Sequence, residues 1–185
     1  MTFDSLLKTR RSVRKFKDLK PDWRDIIEAI DSARFAPMAG NNYTLKFIVV
    51  SDSEKIQRIA EACQQPFVGS VYYVVVVCSN PKRTLNAYGN RGEVYAKQQA
   101  GAAIQNFLLK ITEKKLATCW VGHFVESIVK DILRIPEEIQ VDAILPIGYE
   151  YEKPKTKKQK IEIDSILYFD EYGNKKMNKI KKINV

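Results

Sequence analysis

Arg10 to Phe16 (RRSVRKF) sets three arginines and a lysine around one serine, just after a segment expected to form a short N-terminal helix. Guanidinium forks match phosphate oxygens in pairs and a serine hydroxyl adds a donor, so a dianionic phosphate monoester would satisfy several of these groups at once. A solvated helix end has the same composition, because the helix dipole favours cations at a C-terminus. A second segment, Ala36 to Asn42 (APMAGNN), joins proline, glycine and two asparagines in a turn. Its backbone amides and side-chain amides could approach a planar heteroaromatic ligand closely, although a plain helix-stop loop reads the same way. Two later segments share this character. Ala117 to Phe124 (ATCWVGHF) ends a strand in a glycine turn, and Leu145 to Tyr149 (LPIGY) precedes Lys153, Lys155, Lys157, Lys158 and Lys160.

Regular elements must position these segments. Trp23, Ile26, Ile27, Ile30 and Ala33 recur at helical spacing within Asp22 to Phe35, with Pro21 suited to a first helical turn. Leu45 to Val50 (LKFIVV) reads as a strand, and Asp52 to Cys63 as a helix on Ile56, Ile59, Ala60 and Cys63. Val71 to Cys78 (VYYVVVVC) is a run of β-branched and aromatic residues, as expected of a strand buried on both faces. The stripe Ala96, Ala100, Ala103, Ile104, Phe107, Leu108 and Ile111 predicts one long helix over Glu93 to Lys115. Leu116 to Val121 reads as a strand, Ser127 to Leu133 as a short helix and Val141 to Ile147 as a strand. The spacing does not fit uniform βαβ units, so a mixed sheet flanked by helices is expected.

The chain has 185 residues with 45% hydrophobic, 10% aromatic and 29% charged content, enough for one domain with a real core. That composition excludes disordered and collagen-like classes. Thirty-one Lys and Arg against 22 Asp and Glu leave +9, which favours anionic partners. From Lys153 onward ten lysines face four acidic residues, so this tail holds +6 of the charge. Within it Ile163 to Phe169 turns apolar again, and a partner subunit is one surface that could cover it. Cys63, Cys78 and Cys119 are odd in number and form no CxxC pair, which points to reduced thiols. The N-terminus lacks the apolar core of a secretory signal, and no apolar run approaches the roughly 20 residues of a membrane helix, so a cytoplasmic location is expected.

In this order and at these separations the four segments resemble the nitroreductase family of FMN-dependent flavoproteins, whose members show RRSxRxF, APSAxNxQPWxF, GLGTCWxGxF and PIGYP followed by basic residues. The resemblance spans about Leu6 to Gly173. It implies an α+β, nitroreductase-like fold: one domain over residues 1–185, with about 150–185 as a basic C-terminal extension packing on the partner subunit. It further implies a homodimer with FMN at the interface. On that pattern Arg10, Arg11 and Ser12 match residues that hold the FMN phosphate, and Arg14 matches the basic residue beside flavin N1 and O2. Pro37, Met38, Ala39 and Asn41 match the loop that reaches the flavin from the partner subunit. Trp120, Val121 and Gly122 match the segment passing the ring near N5, and Lys158 or Lys160 matches a late basic residue on the phosphate.

The implied activity is hydride transfer from NADH or NADPH through flavin N5 to a nitroaromatic, quinone or similar acceptor, by a ping-pong mechanism. The flavin performs that chemistry, so no catalytic triad or metal is required of the protein. A charge-assisted hydrogen bond from Arg14, worth about 1.5–3 kcal/mol, would raise the flavin potential by about 30–65 mV. Tyr43, Thr44 and Leu45 stand where the family has QPW, Met38 where it has serine, and Glu150 where it has proline. The first two departures bear on substrate preference. Dehalogenation or enone reduction on the same scaffold is an alternative, since fold does not select the reaction. An RNA-binding module is a second class, suggested by the charge and by GNRG at Gly89 to Gly92. On the family pattern that loop instead covers the substrate pocket. His123 and Cys119 are too few for a structural zinc site.

Overall fold

The computed structural model of the chain describes residues 1–152 and 161–177, which fall in two units, Met1–Glu152 and Lys153–Val185. In the first unit the order is α1 (Phe3–Thr9), α2 (Trp23–Ala33), β1 (Leu45–Val50), α3 (Ser53–Cys63), β2 (Tyr73–Ser79), α4 (Lys82–Tyr88), α5 (Arg91–Glu113), β3 (Ala117–Thr118), α6 (Glu126–Leu133) and β4 (Gln140–Gly148). The strands form one sheet in the order β1-β2-β4-β3, with every ladder antiparallel. The one parallel element is an isolated bridge from Ser12 to Thr118.

Apolar residues fill both faces of this sheet. Every residue of β2 is buried, as its unbroken β-branched run requires. Tyr73, Val75 and Val77 pack with Ile26, Ala29 and Ala33 of α2 and with Ala100, Ala103, Ile104 and Phe107 of α5. Val74, Val76 and Cys78 face the other way, onto Ile56, Ile59 and Cys63 of α3 and Val129 and Ile132 of α6. Each large side chain so buried contributes about 1.5–3 kcal/mol relative to exposure. Trp23 and Ile27, read as part of the α2 stripe, turn out to solvent because the buried stripe runs through Ile26, Ala29 and Ala33 instead. Tyr72 is likewise exposed, and its hydroxyl donates to Asp18 Oδ1 at 2.6 Å.

The spacing of the elements suggests a mixed sheet, yet all three ladders are antiparallel, that of β1 and β2 included. The connection between them closes on itself: α3 is followed by a 3-10 turn over Pro66–Ser70, and the Gln57 side-chain amide bonds the Gly69 carbonyl at 2.7 Å. The chain therefore re-enters the sheet where it left, with Val50 opposite Val74.

The expected strand over Leu116 to Val121 is reduced to Ala117–Thr118 and one bridge from Val121 to Ile144. Ala117 faces Gly148, Thr118 faces Ile147 and Val121 faces Ile144, so the register is continuous and Cys119 falls opposite Pro146. Ile144 turns its N–H to Val121, and alternation turns position 146 the same way. Proline has no N–H to give, so the ladder lapses there.

Gly89 to Gly92, read as a loop over the pocket, is a tight corner between α4 and α5. Gly89 ends α4 at φ +56°, and Gly92 is buried against the Thr84 backbone. Sequence reading missed α4, although Asn80 Oδ1 accepts from the Lys82 N–H at 3.0 Å just ahead of it, a start signal of ordinary type. Among the described residues no helix is long and apolar enough to cross a membrane.

In the second unit, α7 (Ile163–Ile166) precedes a turn closed by the Phe169 N–H on the Asn174 carbonyl at 2.9 Å. Tyr168 and Tyr172 meet at 4.8 Å between ring centres, and Ile161, Ile163 and Ile166 are exposed. Lys153, Lys155, Lys157, Lys158 and Lys160 lie outside the described residues.

Two expectations follow. A Cβ on Gly92 would stand 2.2 Å from the Thr84 carbonyl oxygen, so Gly92→Ala is expected to cost at least about 1–3 kcal/mol, read as a lower urea midpoint. Burial pushes the Cys63 thiol up to about 11, and burial with the carboxylates of Asp142 and Glu126 pushes Cys78 up to about 12. Both folded values exceed the free thiol's, so this stabilisation is complete below about pH 8.5 and is lost as pH rises further. A disulfide reagent at about pH 8 should react with these two cysteines at least about a hundredfold more slowly in the native protein than in urea; equal rates would contradict the burial.

Candidate functional site

The arginine-rich segment follows α1, whose last backbone carbonyls are capped by Arg10 through its N–H on Leu6 O. From there the chain runs along the end of the sheet. The Val13 N–H bonds the Thr118 carbonyl at 3.0 Å, the Lys17 N–H bonds the Tyr149 carbonyl at 2.8 Å, and the Tyr151 N–H bonds the Lys15 carbonyl at 3.0 Å. Val13 is buried, and Phe16 lies so close to Gly148 that a Cβ there would sit 2.9 Å from its ring. These contacts bring RRSVRKF, the start of ATCWVGHF and the end of LPIGY to one place, although 139 residues separate Arg11 from Glu150.

The charges at this place are unevenly matched. Arg11 is closed onto Glu150 as a fork, Nε to Oε1 at 2.8 Å and Nη2 to Oε2, and both side chains are about a quarter exposed, 29% and 24%. Arg10, Arg14, Lys15 and Lys17 have no carboxylate partner among the described residues, which leaves a cationic patch. Ser12, Arg14, Lys15 and Lys17 are exposed and Arg10 is half-buried. The backbone of Thr118 is bridged to Ser12, and its hydroxyl is buried with no hydrogen-bond partner among the described residues.

Trp120 and Gly122 are exposed on the same segment, Trp120 to 40%. Val121 differs from them: its side chain is buried, and its N–H and carbonyl both bond Ile144 at 3.0 Å. It anchors the turn, which leaves Trp120 and Gly122 to present themselves outward.

The Pro37–Asn41 loop is elsewhere. It follows α2 and makes a 3-10 turn over Ala39–Asn41, with Gly40 and Asn41 in the left-handed region at φ +55° and +57°. A Cβ on Gly40 would lie 2.5 Å from the Tyr88 hydroxyl. Gln99 of α5 holds the loop's exit: its Oε1 accepts from the Thr44 N–H at 2.8 Å and from the Thr44 hydroxyl at 2.5 Å, and its Nε2 donates to the Asn42 carbonyl. Thr44 is thus a buried anchor, in a role the sequence did not reveal. The loop leads into Leu45, which pairs with Ser79, whereas the arginine segment lies beyond Tyr73 and Ile147 at the other end of the sheet. Six residue steps of β2 separate these ends, about 20 Å. Within one chain, Pro37, Met38, Ala39 and Asn41 therefore do not join Arg10 to Arg14. Lys158 and Lys160 lie outside the described residues.

The comparisons with known proteins agree in kind. The model of the nitroreductase family matches residues 7–72 and 62–149. A protein of Archaeoglobus fulgidus with the provisional name NADH dehydrogenase/NAD(P)H nitroreductase is 30% identical over 164 residues, covering 86% of this chain and 89% of that protein. The iodotyrosine deiodinase of Thermotoga neapolitana is 26% identical over 179 residues, covering 88% and 95%. The solved structure of a nitroreductase family protein from Clostridium novyi NT has a TM-score of 0.76 at 28% identity, covering 94% of this chain and 96% of that one. With the fold, three converging segments and a family match over most of its length, this chain belongs to the nitroreductase family.

Proposed function

We propose that this chain is an FMN-dependent NAD(P)H oxidoreductase that reduces a small acceptor such as a nitroaromatic or quinone, and that it works as a homodimer with FMN at the interface. The carrying observation is the patch of Arg10 and Arg14, cations without a carboxylate partner among the described residues, on the same segment as the exposed Ser12. A phosphate monoester supplies what this patch lacks, a compact dianion with several acceptor oxygens. The residues present therefore fit the cofactor that the family resemblance implies.

Arg10 and Ser12 would hold the phosphate. Arg14 would place a cation at the N1 and O2 edge of the ring and favour its reduced, anionic form. Trp120 and Gly122 would border the ring, while Val121 keeps their turn in place. When bound, FMN supplies the two-electron chemistry, accepting hydride from NAD(P)H and passing it on in separate half-reactions.

Two observations support a dimer. Pro37 to Asn41 lies at the far end of the sheet from the arginines, and the same loop of a second copy would be free to approach a ligand held there. The exposed Ile161, Ile163 and Ile166 also suit packing on a second subunit. A second reading of the acceptor, reductive dehalogenation, is favoured by the likeness to the Thermotoga neapolitana deiodinase. Kinetics with nitroaromatics, quinones and halotyrosines side by side separate the two.

Replacing both Arg10 and Ser12 by Ala is expected to weaken FMN binding at least about tenfold, as loss of a charge-assisted hydrogen bond requires. Quenching of flavin fluorescence on titration with the apoprotein measures this directly. Unchanged affinity in a folded variant would show the phosphate to lie elsewhere.

A further inference from the structure

Of the three arginines in RRSVRKF, Arg11 alone has a carboxylate partner among the described residues. That partner, Glu150, stands where the family pattern has proline. A two-point fork between guanidinium and carboxylate has the geometry that a guanidinium uses on phosphate, so the carboxylate occupies Arg11 as a phosphate would. We propose that Glu150 is an internal competitor for the cofactor phosphate: its carboxylate holds the Arg11 fork until phosphate takes it over, and so sets how tightly the phosphorylated flavin is bound. The proposal rests on the reading of the patch as an FMN phosphate site.

The surroundings suit an exchange of side chains with no movement of the backbone. Ser12 is bridged to Thr118, and Val13 bonds the same residue. Phe16 is bridged to Glu150, while Lys17 and Tyr151 bond across that bridge. Both backbones are therefore pinned independently of the ion pair, and only the two side chains need rotate. Each is about a quarter exposed, so water can solvate the carboxylate as it leaves, and the pair escapes the desolvation that locks a buried one. With Glu150 turned away, Arg11 joins Arg10 and Ser12.

The test uses the full chain in four forms: wild type, Glu150→Gln, Arg11→Gln and both together. FMN and riboflavin are titrated against each apoprotein by fluorescence. Glu150→Gln keeps the size and hydrogen-bonding capacity of the side chain but loses its charge. It is expected to bind FMN about tenfold more tightly with riboflavin affinity unchanged, because riboflavin has no phosphate. The gain should vanish when Arg11→Gln is also present. Inorganic phosphate should raise the melting temperature of apo Glu150→Gln more than that of the apo wild type. FMN affinity equal in wild type and Glu150→Gln would overturn the competition, as would an equal gain for riboflavin. A gain that persists without Arg11 would also overturn it, reducing the effect to repulsion at a distance. If wild type binds FMN no better than riboflavin, the phosphate site itself is misplaced and both readings fall.

Discussion

The cationic patch of this protein depends on a short backbone ladder. Residues 12 to 17 are bonded on one side to Thr118 and on the other to Tyr149 and Tyr151. The run from Arg10 to Lys17, with three arginines and two lysines, would repel itself if it were compact and free. Fixed to a sheet edge, it can keep those charges close together and turned outward, because main-chain hydrogen bonds and the burial of Val13 and Phe16 hold it.

That ladder in turn needs a rigid edge, which the sandwiched sheet provides. β2 is buried on both faces, with α2 and α5 on one and α3 and α6 on the other. Its neighbours inherit this rigidity through six paired positions in β1 and seven in β4. β3 is the weak member, with two residues and a lapse opposite Pro146. The lapse frees the chain at Cys119 and Trp120 to leave the ladder before Val121 returns to it. Trp120, which is exposed, lies within that gap.

Charge at the site is graded. Arg14 and Lys15 are exposed, Arg10 is half-buried, and Arg11 is neutralised by Glu150. A proline at position 150 would leave all three guanidiniums unmatched. The carboxylate lowers the repulsion within the segment and also lowers its attraction for an anion.

Much of this was legible in the chain itself. Periodicity marked α2, α3, α5 and α6 to within about two residues, and the valine run marked β2 as a buried strand, because burial selects side chains locally and leaves a local record. The order of the four motifs pointed to the family and to the residues worth testing. What stayed hidden had causes that are not local. Trp23 and Ile27 face water because the neighbours of α2 cover a narrower stripe than its apolar residues offer. β3 is cut short by a proline in another strand. Thr44 is an anchor because Gln99 reaches it across 55 residues, and Arg11 is paired because Glu150 lies opposite in a ladder joining chain segments 139 residues apart. The separation of Pro37–Asn41 from the arginines is likewise a property of strand register. Residue type and spacing thus determine which groups can bind an anion or fill a core, while pairing between distant segments decides which of those groups meet.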